Sequence, residues 1–246
     1  MKLTLLGSTG YHPNDRRHTA CFMLPQLGVV LDAGSGFYRV RDHLCTDTLD
    51  IFLSHAHLDH IFGLTFLFDV LHEKTMQRVT VHGEANKLAA IEEHLLAPDL
   101  FPVPLPCKYQ PLTGPVTLPD GSCLTYFPLK HPGGSVGFRI DWPDRSFAYV
   151  TDTTACPNAD YLQHIRGVDT LIHECYFPDG LEAVAEKTGH SCATPVGLVA
   201  KAAEVKRLLL VHVNPLSLAD DPIGLAGIRQ IFPNTEIGVD GMEIEV

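Results

Sequence analysis

The chain has 246 residues, 45% of them hydrophobic and 19% charged, which is enough to build one domain over residues 1–246 around a substantial core. A formal net charge of −11 excludes a broad nucleic-acid-binding face, which needs a surplus of Lys and Arg, and there is no basic run for an acidic membrane. The seven cysteines form no CxxC, and no stretch reaches the roughly 20 apolar residues of a membrane span, so a reducing cytoplasm is expected.

The opening "MKLTLLGSTG" has too short an apolar run for a signal peptide and reads as the first strand. The loop "GYHPNDRRHTA" carries His12 and His18, solvated by default. "CFML" and "GVVLDAG" read as strands, the second closing on Asp32. "DIFLSHAHLDH" reads as a strand and then a turn. His55 and His57, two apart in extended chain, point the same way. Asp59 and His60 follow where the chain turns into an amphipathic helix expected over 60–73. Four metal-seeking side chains in so short a stretch suit two adjacent sites for Zn²⁺ or Mn²⁺.

"RVTVHG" reads as a strand, 85–96 as a helix, and the Pro-rich 98–119 as a loop-like excursion within the domain. Three later strands close on metal-seeking residues: "SCLTYFPLK" on His131, "SFAYVT" on Asp152 and "RLLLV" on His212. Any one of these alone is usually a turn residue. Together they sit where a two-metal centre needs its remaining ligands. Gly133-Gly134-Ser135 reads as a turn, an ordinary one or one offering N–H groups to a phosphate. "DTLIHE" ends on Glu174, and "GHS" holds His190. Helices are expected over 192–204 and over 222–231, the latter with Asp221 as N-cap and Pro222 at its first position. Helices separating strands give a mixed α/β layered fold. His43, His72, His82, His94, His164 and His173 read as structural or surface groups.

The chain resembles the metallo-β-lactamase superfamily. "LLGSTG", "LDAGSG", "SHAHLDHIFGL", "LKHPGGSVGFRI", "YVTDT", "LIHECYF", "GHSCAT" and "RLLLVHVNP" follow the family's order over nearly the whole chain. Within it the chain is similar to the phosphodiesterase branch that includes the tRNA 3′-processing endonucleases and the phosphoribosyl cyclic-phosphate phosphodiesterases. The resemblance implies a four-layer αββα sandwich and a dinuclear metal-dependent hydrolase. It implies His55, His57 and His131 on one ion, Asp59, His60 and His212 on the other, and Asp152 bridging them. The ions would be Zn²⁺, with Mn²⁺ or Fe as alternatives. It places Asp59, Glu174 and His190 in the chemistry, with Glu174 orienting a His190 that protonates the leaving oxygen. Asp32 would orient a ligand histidine, and a homodimer is implied.

In the tRNA endonucleases an RNA-gripping arm lies between the segments that carry these third-ligand and bridging residues. Here His131 and Asp152 are only 21 positions apart. With the acidic charge, this points to a small phosphodiester substrate, cyclic ones included, and to no stable nucleic-acid or membrane partner. A tRNA 3′-endonuclease-type ribonuclease and an arylsulfatase- or lactonase-type hydrolase remain alternatives, with a non-catalytic metal-binding module behind them.

Overall fold

The computed structural model describes residues 1–246. Fourteen strands run in chain order: β1 Lys2–Gly7, β2 Cys21–Leu24, β3 Val29–Leu31, β4 Thr48–Phe52, β5 Arg78–Gly83, β6 Lys108–Pro111, β7 Val116–Thr117, β8 Cys123–Leu129, β9 Ser135–Asp141, β10 Ser146–Val150, β11 Thr170–Glu174, β12 Arg207–Val211, β13 Thr235–Ile237 and β14 Glu243–Glu245. They divide between two compact units, Met1–Thr113 with Val239–Glu245, and Gly114–Gly238 with Val246.

The first unit holds a mixed sheet in the order β14-β1-β2-β3-β4-β5-β6, antiparallel from β14 to β3 and parallel from β3 to β6. Its core sets Leu49, Ile51, Val79 and Val81 of the sheet against Leu64, Leu67, Val70, Leu88 and Ile91 of the helical segments. The second unit holds the order β13-β12-β11-β10-β9-β8-β7. It too is antiparallel over four strands, β7 to β10, and parallel over four, β10 to β13. Its core sets Ala148, Val150, Leu171, Leu208 and Leu210 against Val196, Val199, Ala200 and Ile228. Strands β2, β3, β10 and β11 are buried at every position. In β2, β3 and β10 this gives nearly unbroken apolar runs rather than alternating ones, whereas β11 buries the polar Thr170, His173 and Glu174.

The expected helix over 60–73 is three short pieces: Leu58–Ile61, a 3₁₀ stretch Phe62–Phe66, and Leu67–Leu71. Gly63 explains the break. Its N–H donates to the Ala33 carbonyl at 2.7 Å, and a Cβ there would lie 2.2 Å from the Gly34 oxygen. The segment is drawn against the 33–37 turn too closely for a regular helix to continue. The last helix begins at Leu225, three residues later than expected. Asp221 still satisfies its first donors, accepting from the N–H groups of Gly224 at 2.8 Å and Leu225 at 2.8 Å. The helix expected over 192–204 runs Ala193–Ala202. Helices at Leu162–Ile165 and Glu182–Thr188 were not expected. The Pro-rich stretch contributes β6, parallel to β5, and β7, antiparallel to β8. No helix is long and apolar enough to cross a membrane.

Candidate metal centre

In each unit most residues of interest follow the carboxyl ends of parallel strands, the usual place for ligands in such sheets, while His131 follows β8, which is antiparallel to both its neighbours. In the first unit β3 leads into Asp32 and β4 into Ser54 and His55. Asp32 is fully buried in a left-handed backbone conformation, φ 59°. Its carboxylate accepts hydrogen bonds from the Ser54 N–H at 2.8 Å, the Ser54 hydroxyl at 2.8 Å and His60 Nδ1 at 2.8 Å. A carboxylate only accepts, so His60 carries its proton on Nδ1 and leaves Nε2 as the basic nitrogen. His60 Nε2 lies 3.4 Å from Asp59 Oδ2. The His55 ring sits 4.5 Å from the His57 ring and 4.2 Å from the His60 ring. Asp59 Oδ2 also accepts from the Tyr11 N–H at 2.7 Å.

In the second unit β10 leads into Asp152, β11 ends on Glu174, and β12 leads into His212. Asp152 Oδ1 is 3.2 Å from His212 Nε2, and Oδ2 is 3.6 Å from His131 Nε2 and 4.0 Å from His190 Nδ1. His131 Nδ1 donates to the Gly189 carbonyl at 2.8 Å, which fixes its tautomer as Asp32 fixes that of His60. Gly189 ends the Glu182–Thr188 helix at φ 76°, and a Cβ there would fall 2.3 Å from Pro132 Cδ and 2.7 Å from His131 Nδ1. His212 adopts a left-handed conformation, φ 56°.

Glu174 is fully buried, with Oε1 3.4 Å from His190 Nδ1 and accepting from the Thr153 N–H at 3.2 Å. Burial pushes its carboxyl above the ordinary value, and the neighbouring His190 opposes the rise. Glu174, His190 and His212 present ligand atoms all within 4.8 Å of one another. The Gly133-Gly134 turn is closed by the Gly134 N–H donating to the His131 carbonyl at 2.9 Å, and the Ser135 hydroxyl donates to the Asp152 carbonyl at 2.8 Å.

The candidate donors are nitrogen and oxygen only: in the first unit the imidazoles of His55, His57 and His60 and the carboxylate of Asp59, in the second the imidazoles of His131 and His212 and the carboxylate of Asp152. Divalent ions of the Zn²⁺ and Mn²⁺ kind take such ligands. Partners that hold ligand imidazoles in one tautomer are the usual companions of a metal site. Two participants escaped the sequence reading. Tyr176 stacks on His190, rings 4.8 Å apart at 19°, and lies 5.8 Å from the His212 ring. Its signal was its place two residues after Glu174. Ser191 ties the loop by donating to the Thr153 carbonyl at 2.7 Å and accepting from the Ala155 N–H at 2.9 Å.

Residues 29–213 match the family described as the beta-lactamase superfamily domain. The ribonuclease Z of Acaryochloris marina (strain MBIC 11017) is 28% identical over 314 residues, which take in 100% of this chain and 98% of that protein. The metallo-beta-lactamase fold protein YhfI from Bacillus subtilis superposes with a TM-score of 0.83 at 21% identity, over 99% of each chain. A diphosphatase from the PhnP family superposes with a TM-score of 0.73 at 19% identity, over 100% of this chain and 97% of that one. The two mixed sheets with their helices are therefore those of the metallo-β-lactamase fold.

Proposed function

The chain belongs to the beta-lactamase superfamily and is a metal-dependent hydrolase of phosphoric diesters, and we propose that its substrate is a small phosphodiester, cyclic ones included. The observation that carries this reading is the short link between His131 and Asp152. Strands β9 and β10 fill it, and a tight turn joins them, with the Trp142 N–H donating to the Arg145 carbonyl at 2.9 Å. An arm able to grip a folded RNA has no room there. The Acaryochloris ribonuclease Z aligns over 314 residues against the 246 of this chain, so that protein carries segments absent here. A net charge of −11 works against a large polyanion and tolerates a single phosphate beside bound cations.

By the family resemblance, His55, His57 and His131 would hold one divalent ion, Asp59, His60 and His212 the other, and Asp152 would serve both. Zn²⁺ suits five imidazoles best, with Mn²⁺ or Fe as alternatives. Bound ions supply Lewis acidity at phosphorus and lower the pKa of a coordinated water. The protein's own groups do the rest. Asp32 and the Gly189 carbonyl hold His60 and His131 with Nε2 deprotonated. His190 donates a proton to the leaving oxygen, positioned by Glu174 on one side and by the Tyr176 ring on its face. Thr153 and Ser191 keep Glu174 in place.

The second reading is a ribonuclease of the ribonuclease Z type, favoured by relatives of that name aligned over the whole chain. The deciding experiment compares kcat/KM of the metal-loaded protein on cyclic and linear small phosphodiesters with its rate on a tRNA precursor bearing a 3′ trailer. The small diesters are expected to be the better substrates. Faster endonucleolytic removal of the trailer overturns the proposal in favour of the ribonuclease.

A further inference from the structure

Tyr11 is 75% exposed and sits at φ 62°, a left-handed backbone conformation that a bulky residue adopts only when its surroundings impose it. Its N–H donates to Asp59 Oδ2 at 2.7 Å. An exposed aromatic ring is thus anchored through its own backbone to a carboxylate of the candidate centre. The loop that carries it is held at several points. Thr9 N–H donates to the His18 carbonyl at 3.0 Å, and Asn14 Oδ1 accepts from the N–H groups of Arg16 and Arg17 at 2.9 Å. Asp240 accepts from the Ser8 hydroxyl at 2.8 Å and from the His18 N–H at 2.7 Å. The His12 ring meets the Tyr11 ring edge-on, centroids 5.5 Å apart.

Exposed tyrosines on flexible loops are common and need no explanation. This one is on a braced loop, in a strained conformation, beside a proposed metal ligand. Strain of this kind, kept by the surroundings, clusters at active sites and ligand clamps. Aromatic side chains stack on planar bases irrespective of base identity. We infer that Tyr11 is a stacking platform for the base of the substrate, which makes that substrate a nucleoside phosphodiester rather than a plain sugar phosphodiester. The inference rests on the small-phosphodiester reading above and names its class.

The test compares two substrates, a nucleoside 2′,3′-cyclic phosphate and a ribose cyclic phosphate without a base. It uses metal-loaded wild type, Tyr11→Gly and Tyr11→Phe. Glycine takes positive φ without strain, so Tyr11→Gly keeps the loop and deletes only the ring. With the nucleoside substrate KM is expected to rise on the order of ten-fold in Tyr11→Gly at unchanged kcat, and to stay near wild type in Tyr11→Phe. With the baseless substrate all three proteins should agree. Calorimetric binding of the nucleoside monophosphate product should weaken by the same factor in Tyr11→Gly. Equal KM values for wild type and Tyr11→Gly on the nucleoside substrate overturn the stacking role and leave the small-phosphodiester reading standing. An equal rise on both substrates also overturns it, since the ring would then serve the site and not the base. Wild type that cleaves neither substrate overturns that reading and this inference with it.

Discussion

His60 Nδ1 meets the Asp32 carboxylate at 2.8 Å, with neither residue accessible to solvent. The same carboxylate satisfies both the N–H and the hydroxyl of Ser54, so one side chain locks the strand end and a ligand imidazole together. Asp32→Asn keeps an acceptor and tolerates positive φ but loses the charge that favours the Nδ1–H tautomer. Metal affinity should fall by roughly 10–100-fold, and the amide, set against a buried donor, should lower folding stability by about 1–3 kcal/mol. Metal titration of the apoprotein, with thermal denaturation alongside, checks both halves.

Gly189→Ala places a methyl 2.3 Å from Pro132 Cδ and 2.7 Å from His131 Nδ1, at a backbone φ of 76°. The clash and the strain should cost about 1–3 kcal/mol. Because the displaced group is the partner that fixes His131, metal affinity should drop with stability. Urea unfolding and metal stoichiometry read the two effects separately. A variant with weakened folding but wild-type metal affinity would show that His131 does not depend on this carbonyl.

His190→Ala is expected to reduce kcat by roughly 10²–10⁴-fold on diesters with alkoxide leaving groups, the usual range for losing a general acid. On bis(p-nitrophenyl) phosphate the loss should be far smaller, because p-nitrophenolate departs without protonation. Equal losses on both substrates would assign His190 to binding rather than proton donation.

Asp152→Ala removes the carboxylate that stands 3.2 Å from His212 Nε2 and 3.6 Å from His131 Nε2. Turnover should fall by more than the ~10–100-fold typical of losing an outer partner, with the circular dichroism spectrum preserved. Chelation of the wild type should reproduce the loss, and added Zn²⁺ or Mn²⁺ should restore activity only in the wild type.

His173 offers a test of folding apart from the site. It is fully buried, and burial lowers its pKa from 6.5 to about 4. The Tyr161 hydroxyl lies 3.0 Å from its Nε2, and its Nδ1 donates to the Glu174 carbonyl at 2.7 Å, so the neutral ring is fully engaged. Below pH 6.5 the unfolded chain binds a proton that the folded one refuses. The contribution of His173 is therefore intact above that pH and declines as the pH falls toward about 4, by up to about 3 kcal/mol. His173→Gln should flatten the pH dependence of unfolding free energy between pH 6.5 and 4 by close to one proton.

Strands such as β2 and β10 were legible because they are buried on both faces, and burial writes itself as runs such as "CFML" and "SFAYV". The ligand candidates were legible because polar residues at the ends of such runs stand out. What stayed hidden depends on contacts distant in sequence. Gly63 breaks a well-patterned helix because of Gly34 and Phe37, nearly 30 positions earlier. Gly189 shows nothing of its role in the run "GHS" until Pro132 and His131 are seen against it. The left-handed turns at Tyr11, Asp32 and His212 leave no trace in composition, because none of these residues is glycine. Strands β6 and β7 were masked by the prolines around them.

Asp32 and His212 both hold backbone conformations that disfavour side chains, and each directly follows a strand end locked in its sheet. That distortion is set when the sheets form and does not wait for an ion. Each unit therefore keeps its share of the coordination frame when demetallated. Exchange of one divalent ion for another then requires no refolding, and the ion found in the purified enzyme will follow the supply in the growth medium as much as the preference of the ligands.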